Sequence, residues 1–257
     1  MRLVLSKSIG ALVAMLSLAG CMVVENTPID IDKSVERRVS AAMSYLQDGQ
    51  PNEARRHLMR ALELDSDSAK VHNAMALLYK YEGDAVREER HLRRSIRHDR
   101  DYAVARNNYG SFLFAQGEYD KALKQFDRAA NNPTYESRAT AFANKGRALA
   151  AMGRYDEAVQ AFDRSLRLND GASDVLLEMA KAYYAKKDFQ RADQAYQEYA
   201  DRAGSQSPWG LWFGIQLSAR LNQKDRLASY EMALEQLHPD SREYRRWRAW
   251  VAQGRPL

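Results

Sequence analysis

The sequence predicts an all-α fold, a one-dimensional stack of helix pairs, and three observations carry that reading. A pattern of small and large residues returns about every 34 positions along most of the chain. There are 13 Gly and 6 Pro in 257 residues, fewer than a turn-rich β-sandwich uses. The hydrophobic fraction, 45%, is that of a folded protein and excludes disorder throughout.

The repeat is plainest in two segments. Gly110-x6-Gly117-x-Tyr119-x2-Ala122-x3-Phe126-x2-Ala129 and Gly146-x6-Gly153-x-Tyr155-x2-Ala158-x3-Phe162-x2-Ser165 superimpose without a gap, 36 residues apart. The same template puts unit starts at Val35, Ala69, Ala103, Ala139, Ser173 and Ser207, spaced 34 apart except where Asn132-Pro133-Thr134 adds two. Six units then occupy 35–68, 69–102, 103–138, 139–172, 173–206 and 207–240. Two helices approach closely where one offers a small residue to a large residue of the other. Position 8 reads Ala42, Ala76, Gly110, Gly146, Ala180 and Gly214, all small. Position 24 reads Leu58, Leu92, Phe126, Phe162, Tyr196 and Tyr230, all large. Position 20 is Ala54, Ala122, Ala158 and Ala192 but Glu88 in the second unit and Arg226 in the sixth, so those two units are expected to pack more loosely.

These columns resemble the tetratricopeptide repeat over about four-fifths of the chain. The resemblance implies a right-handed superhelix of six tandem repeats, although the Pro usual at position 32 is missing from every unit. After Pro239, Ser241 is competent to cap a helix, and Tyr244, Trp247, Trp250 and Val251 recur at helical spacing with Arg242, Arg245, Arg246 and Arg248 mostly between them. A helix of this kind, 241–257 with its tail, covers the open apolar end of the stack; a helix lying on a membrane surface is the alternative reading.

The amino end carries an address. Arg2 and Lys7, an apolar run from Ile9 to Leu18 and small residues after it have the order of a secretory signal over residues 1–20. The run is shorter than the roughly 20 residues a spanning helix needs. Leu18-Ala19-Gly20-Cys21 resembles a bacterial lipobox, which implies that Cys21, the single cysteine, becomes the lipid-bearing first residue of the mature chain. Met22 in place of an Asp implies, by analogy with lipoprotein sorting, the periplasmic face of a Gram-negative outer membrane. Residues 21–34, with Pro28 and no helical stripe, read as a tether. Loss of Arg2 and Lys7 leaves a net charge of +3 from the original +5, too weak to indicate nucleic acid.

Catalysis has no foothold. His57 and His91 recur at position 23, His72 takes position 4, His98 ends a helix and His238 precedes Pro239. No His-Glu-x-x-His, Gly-x-Ser-x-Gly or phosphate loop occurs, so no metal and no cofactor beyond the covalent lipid is expected. The densest charge run, Arg87 to Arg100, places most of its arginines along one side of an outer helix. A solvated face explains it, and contact with anionic lipid or an acidic partner stays open.

Function is therefore expected in the concave surface, which first helices line through positions 2, 5, 9, 12 and 13. The candidate groove residues are Val39, Met43, Leu46, Lys70, Asn73, Leu77, Lys80 and Tyr81, then Asn107, Ser111, Phe114, Arg147, Lys181 and Tyr184. An apolar entrance with cations behind it suits an apolar peptide of some acidic character. Val39 and Met43 stand where the carboxylate-clamping chaperone repeats have Lys and Asn, which sets that clamp aside. Six repeats behind a lipobox, with Asn107-Asn108-Tyr109-Gly110-x-Phe112-Leu113 in the third, are similar to the pilotin lipoproteins of type IV pilus systems. That similarity implies a monomeric, non-enzymatic scaffold whose partner is an outer-membrane secretin subunit. An adaptor for peptidoglycan hydrolases or for barrel assembly is the alternative.

Overall fold

A computed structural model describes residues 30–169 and 171–255. The signal sequence, Cys21 and the tether up to residue 29 lie outside the described residues. Thirteen helices follow one another among the described residues, with no strand between them. They are α1 (Ile31–Gln47), α2 (Pro51–Leu64), α3 (Ala69–Tyr81), α4 (Ala85–His98), α5 (Ala103–Ala115), α6 (Tyr119–Ala130), α7 (Arg138–Ala151), α8 (Tyr155–Leu168), α9 (Ser173–Ala185), α10 (Phe189–Arg202), α11 (Pro208–Arg220), α12 (Lys224–Leu237) and α13 (Arg242–Ala252). Residues 31–257 form one compact unit with its own continuous core.

Each unit is a hairpin closed by the same turn. The first backbone N–H past the turn donates to a carbonyl five residues back: Gln50 to Tyr45, Asp84 to Tyr79, Glu118 to Leu113, Arg154 to Leu149, Asp188 to Tyr183 and Gln223 to Ser218, at 2.8–3.0 Å. The residue before each donor has a positive φ, which is why Gly stands there four times, as Gly49, Gly83, Gly117 and Gly153. Lys187 and Asn222 hold the same conformation in the last two units, φ 63° and 56°.

The spacing of these turns corrects the sixth unit. Lys187 to Asn222 is 35 residues, and α10 to α11 carries one more linking residue than a 34-residue period allows. The unit begins at Pro208 rather than Ser207, and Leu227, not Arg226, takes the position 20 slot. Arg226 points outward to Asp193 at 2.9 Å. In this register position 8 is Ile215 and position 24 is Glu231 rather than Gly214 and Tyr230, so with Leu227 the small-to-large contact of the other units is missing, and α12 buries Leu234 alone. The looser sixth unit therefore follows from this register. The second unit is not loose: α4 buries His91, Leu92 and Ser95, and Ser95 Oγ donates to the Ala69 carbonyl at 2.7 Å. Glu88 stays at the rim, half-buried, with burial raising its carboxyl pKa.

The first helix also begins earlier than its template. α1 starts at Ile31, so residues 31–34, expected in the tether, form its first turn; Val35, one turn on, is 3% exposed and anchors it.

Small-to-large contacts set the approach within units. A Cβ added to Gly146 would lie 2.5 Å from the Phe162 ring, and one on Gly110 would lie 2.6 Å from Phe126. First helices are buried on most sides, as α3 is from Val71 through Ala76, whereas second helices bury one stripe. The backbone of each first helix approaches that of the next, α1 to α3 and so on to α11, while the backbones of second helices stand farther apart and α10 and α12 meet through side chains such as Arg226 and Asp193. The inner ring is the closer-spaced one, so the stack curves as a right-handed superhelix with first helices on its concave side.

The end of the stack is covered. Ser241 Oγ accepts from the Tyr244 N–H at 3.0 Å to begin α13, and Tyr244, Trp247 and Trp250 pack on the cluster of Leu211, Trp212, Ile215 and Leu234. Trp212 and Trp250 meet edge to face at 5.8 Å. The arginines of α13 face outward, as a capping helix requires.

Candidate functional site

The concave face changes chemistry from one end to the other. At the first two repeats Val39, Met43 and Leu77 are partly buried on a single core cluster, and Leu46 is buried within it. Leu46 therefore supports the entrance rather than offering itself. Tyr81 is 54% exposed and stands by the α1–α2 turn, where its hydroxyl would touch a Cβ on Gly49 at 3.6 Å. Leu77 and Tyr81, four residues apart on α3, present one apolar strip.

Behind this entrance the floor is a chain of amides. Asn73 and Asn107 are buried, at 5% and 8% exposure. Asn108 Nδ2 donates to Asn73 Oδ1 at 2.8 Å, and Asn144 Nδ2 donates to Asn107 Oδ1 at 3.0 Å. Each bond joins one repeat to the next, from position 5 to position 6. Asn144 in turn accepts from Arg147 at 2.9 Å, and Arg147 reaches Asp174 at 2.7 Å. The ladder runs from the second repeat to the fifth. Ser111 Oγ donates back to the Asn107 carbonyl at 3.0 Å, so its hydroxyl is engaged within α5.

The groove cations are mostly paired, which corrects the expectation of cations waiting behind the entrance. Lys70 binds Glu36 of the preceding unit, Arg147 binds Asp174, and Lys181 binds Glu178 at 2.9 Å while lying 4.1 Å from the centre of the Trp209 ring. Lys80 is exposed and is flanked on α4 by Glu88, whose carboxyl it favours in the ionised form. Pairs between solvent-exposed side chains contribute little to stability; here they cancel the cationic field the groove would otherwise project.

The aromatic members divide. Phe114 is partly buried against Tyr119, ring centres 5.1 Å apart, and Tyr184 packs edge-on to both Phe189 and Phe213. Trp209 is 44% exposed and belongs to the far end of the face. Asn108, Asn144, Asp174, Glu178 and Trp209 were not among the sequence candidates. The signal for the two asparagines was present: Asn73 and Asn108 are 35 apart, Asn107 and Asn144 are 37 apart, each one position out of register between units.

The arrangement suits a polypeptide. The apolar strip takes side chains, and beside it the half-buried amides of Asn108 and Asn144, held in place by Asn73 and Asn107, are the polar groups within reach of a backbone. Among the described residues no cluster of His, Cys, Asp and Glu has the geometry to hold a metal ion. The His72 and His91 rings meet at Nδ1, 3.1 Å apart, inside the second repeat and away from the groove.

Comparisons with known proteins agree with this geometry. Family models described as tetratricopeptide repeat match residues 36–68, 101–170 and 149–210. The type IV pilus assembly protein PilF of Pseudomonas aeruginosa is 32% identical over 237 residues, covering 90% of this chain and 94% of that protein. A protein of Haemophilus influenzae is 29% identical over 138 residues, 54% of this chain and 77% of that one. The solved structure of Pseudomonas aeruginosa PilF superimposes with a TM-score of 0.77, covering 85% of this chain and 98% of that one at 32% identity. The crystal structure of PilW, described as a widely conserved type IV pilus biogenesis factor, gives 0.76 at 24% identity, covering 81% and 96%, a likeness of fold.

Proposed function

We propose, from the premise that this chain belongs to the tetratricopeptide-repeat family of the Pseudomonas aeruginosa type IV pilus assembly protein, that it is a non-enzymatic scaffold of pilus biogenesis. It acts as a pilotin: its concave face holds a secretin subunit while a lipid on Cys21 carries the pair to the periplasmic face of the outer membrane. The observation that carries the reading is the unbroken inner face from α1 to α11, apolar at Leu77 and Tyr81 and amide-lined behind them. A chain in extended conformation finds a place there for apolar side chains, over a floor stiffened by amides that bond one repeat to the next. Cation–carboxylate pairing along the floor makes the face nearly neutral, which favours an apolar segment over an acidic one and refines the ligand expected from sequence.

The test is binding of purified secretin and of segments tiled along it. Tyr81→Ala and Leu77→Glu are expected to weaken capture by about 10-fold or more, the loss of one well-buried apolar contact or the insertion of a charge at the contact. Tyr81 is exposed, so its truncation leaves the core untouched, and thermal melting checks that Leu77→Glu still folds. Unchanged affinity in both would remove the groove from the mechanism. In cells, loss of the protein should leave secretin monomers at the expense of multimers, and replacement of Cys21 by Ser should mislocalise both. Cross-linking that captures a peptidoglycan hydrolase or a barrel-assembly protein in place of secretin would assign the scaffold to that client.

A further inference from the structure

The outer face of α4 carries a row of arginines that the groove does not use. Arg90, Arg94 and Arg97 follow at intervals of four and three, leave the helix on one side and are exposed. Several arginines elsewhere on or at the start of the outer helices hold carboxylates: Arg55 with Glu82, Arg154 with Glu157, Arg167 with Asp163, Arg191 with Asp188 and Arg202 with Glu198; Arg128 on α6 and Arg164, beside the paired Arg167 on α8, form no row. On α4 itself Arg87 holds Asp84 and Arg93 holds Glu89, and the two guanidinium groups lie over the rings of Tyr79 and Tyr109. Arg90, Arg94 and Arg97 have no carboxylate within 4 Å among the described residues. Three like charges within two turns repel one another, and such a row weakens a helix unless something answers it.

The surroundings narrow what that something is. Val86, one turn before Arg90, is 71% exposed, the barest large apolar side chain among the described residues. The acidic groups around the row are already engaged or lie off it: Glu89 with Arg93 and Tyr109, Asp84 with Arg87, Glu88 half-buried beside Lys80, Asp99 past the helix end, and Asp67, 3.8 Å from His98. The row stands on the convex side of the superhelix, on a helix whose backbone no other second helix approaches closely. A peptide bound as an added strand or in a groove finds neither a sheet edge nor a cleft on this face, and an acidic peptide held by the arginines alone is the competing occupant that the experiment below tests with polyglutamate. A flat field of anionic headgroups matches it: cations spread over about 10 Å of helix, with a valine able to enter the interface.

We propose that the outer face of α4 is a contact for anionic phospholipid headgroups, laying the convex side of the second repeat on the membrane. The concave groove then opens away from the bilayer, toward its partner. For its location the proposal rests on the lipid-anchor reading above; its chemistry does not. Each arginine near an anionic surface favours the bound state roughly 5-fold, so the row supplies on the order of 100-fold. At physiological salt that is too little to hold the protein by itself, while at low salt, where screening is weak, it is enough to be read in sedimentation. As a second signal beside a covalent lipid it fixes orientation, since tethering raises the local concentration of the surface.

The experiment uses the compact unit 31–257, without lipid and without secretin, in sedimentation with vesicles at low salt. Expected are binding to vesicles of one part phosphatidylglycerol and three parts phosphatidylcholine, none to phosphatidylcholine alone, and loss of binding with added salt. The variant R90Q/R94Q/R97Q should bind on the order of 100-fold more weakly and melt at or above the parent temperature, which excludes unfolding. R242Q/R246Q/R248Q on α13 should bind as the parent does. Equal binding by the α4 variant and the parent would overturn the proposal, as would loss confined to the α13 variant, or failure of the parent to prefer anionic vesicles while binding polyglutamate. Leu77→Glu should leave vesicle binding intact and R90Q/R94Q/R97Q should leave secretin capture intact, so failure of the groove and failure of this surface are told apart.

Discussion

The first three repeats and the two that follow share one backbone plan and differ in what closes it. Positions 4 and 23 lie on the two helices of a unit. In the early units they are Arg38 and His57, His72 and His91, Arg106 and Gln125; in the later units they are Phe142 and Ala161, Leu176 and Ala195. Two of the polar pairs are hydrogen-bonding contacts. His72 and His91 meet at 3.1 Å, and Arg106, 5% exposed, donates to Gln125 Oε1 at 3.0 Å and to the Arg100 carbonyl at 2.6 Å. Arg38 and His57 line one shallow cleft of about 250 Å³, and His57 keeps a buried Nδ1 with no hydrogen-bond partner. Each polar pair therefore carries a condition, a protonation state or a desolvated charge. Burial pushes the Arg106 pKa down, and its hydrogen-bond acceptors are neutral. Phe142, Leu176, Ala161 and Ala195 are simply buried. One repeat geometry accepts both solutions, and only the early half is made sensitive to its medium.

The comparison is broken most severely by removing the large residue of the later half. Phe162 is fully buried against Gly146, and Phe162→Ala should cost about 3–5 kcal/mol in urea denaturation, at neutral and acid pH alike. A cost below about 1 kcal/mol would mean that the later units do not depend on that wedge.

Acid should act on the early half. Burial first, then His72 and Arg94, Arg90 and Arg87, lower His91 from 6.5 to about 4, and burial, His98 and Arg94 lower His72. Asp67 pulls His72 the other way. Above pH 6.5 both imidazoles are neutral in folded and unfolded chains, and the pair contributes no pH dependence. Between 6.5 and about 4 the unfolded chain takes up protons that the folded one refuses, so stability falls as pH falls, by roughly 1–2 kcal/mol after allowance for solvent screening. Hydrogen exchange should show α3 and α4 losing protection in that window before α7 and α8. The double substitution His72→Phe with His91→Ala, which copies the pair of the fourth repeat, should flatten the dependence there; an unchanged acid response would place its origin outside the pair.

The smallest effect belongs to the surface pair of the last unit. Arg226→Ala should change stability by no more than about 0.5 kcal/mol, because the loose packing of α12 follows from the register of the unit. A loss above about 1 kcal/mol in thermal melting would return Arg226 to the core reading.

Much of the molecule was legible in advance. Ala42, Ala76, Gly110, Gly146 and Ala180 against Leu58, Leu92, Phe126, Phe162 and Tyr196 are local codes for a hairpin, and the helices of the first five units follow them. Ser241 capped α13 where expected. The groove was legible only in part. Val39, Met43 and Leu77 are partly buried on one core cluster and Tyr81 is exposed, but Leu46 is covered, Asn73 and Asn107 are bound to the next repeat, and the cations Lys70, Arg147 and Lys181 are paired. Those outcomes depend on Asn108, Asn144, Glu36, Asp174 and Glu178, residues whose reach across units no single-unit template records.

The sequence by itself determined the number and kind of units, because a helix hairpin is settled by contacts within some thirty neighbouring residues and the glycine-dependent turn that joins them. The tertiary structure alone decided the one-residue slip of the sixth unit, the amide ladder and the neutralisation of the groove. The rotation between successive repeats chooses which side chains 27 to 37 positions apart come within hydrogen-bonding range, and that rotation is the sum of many packing contacts rather than a property of any one motif.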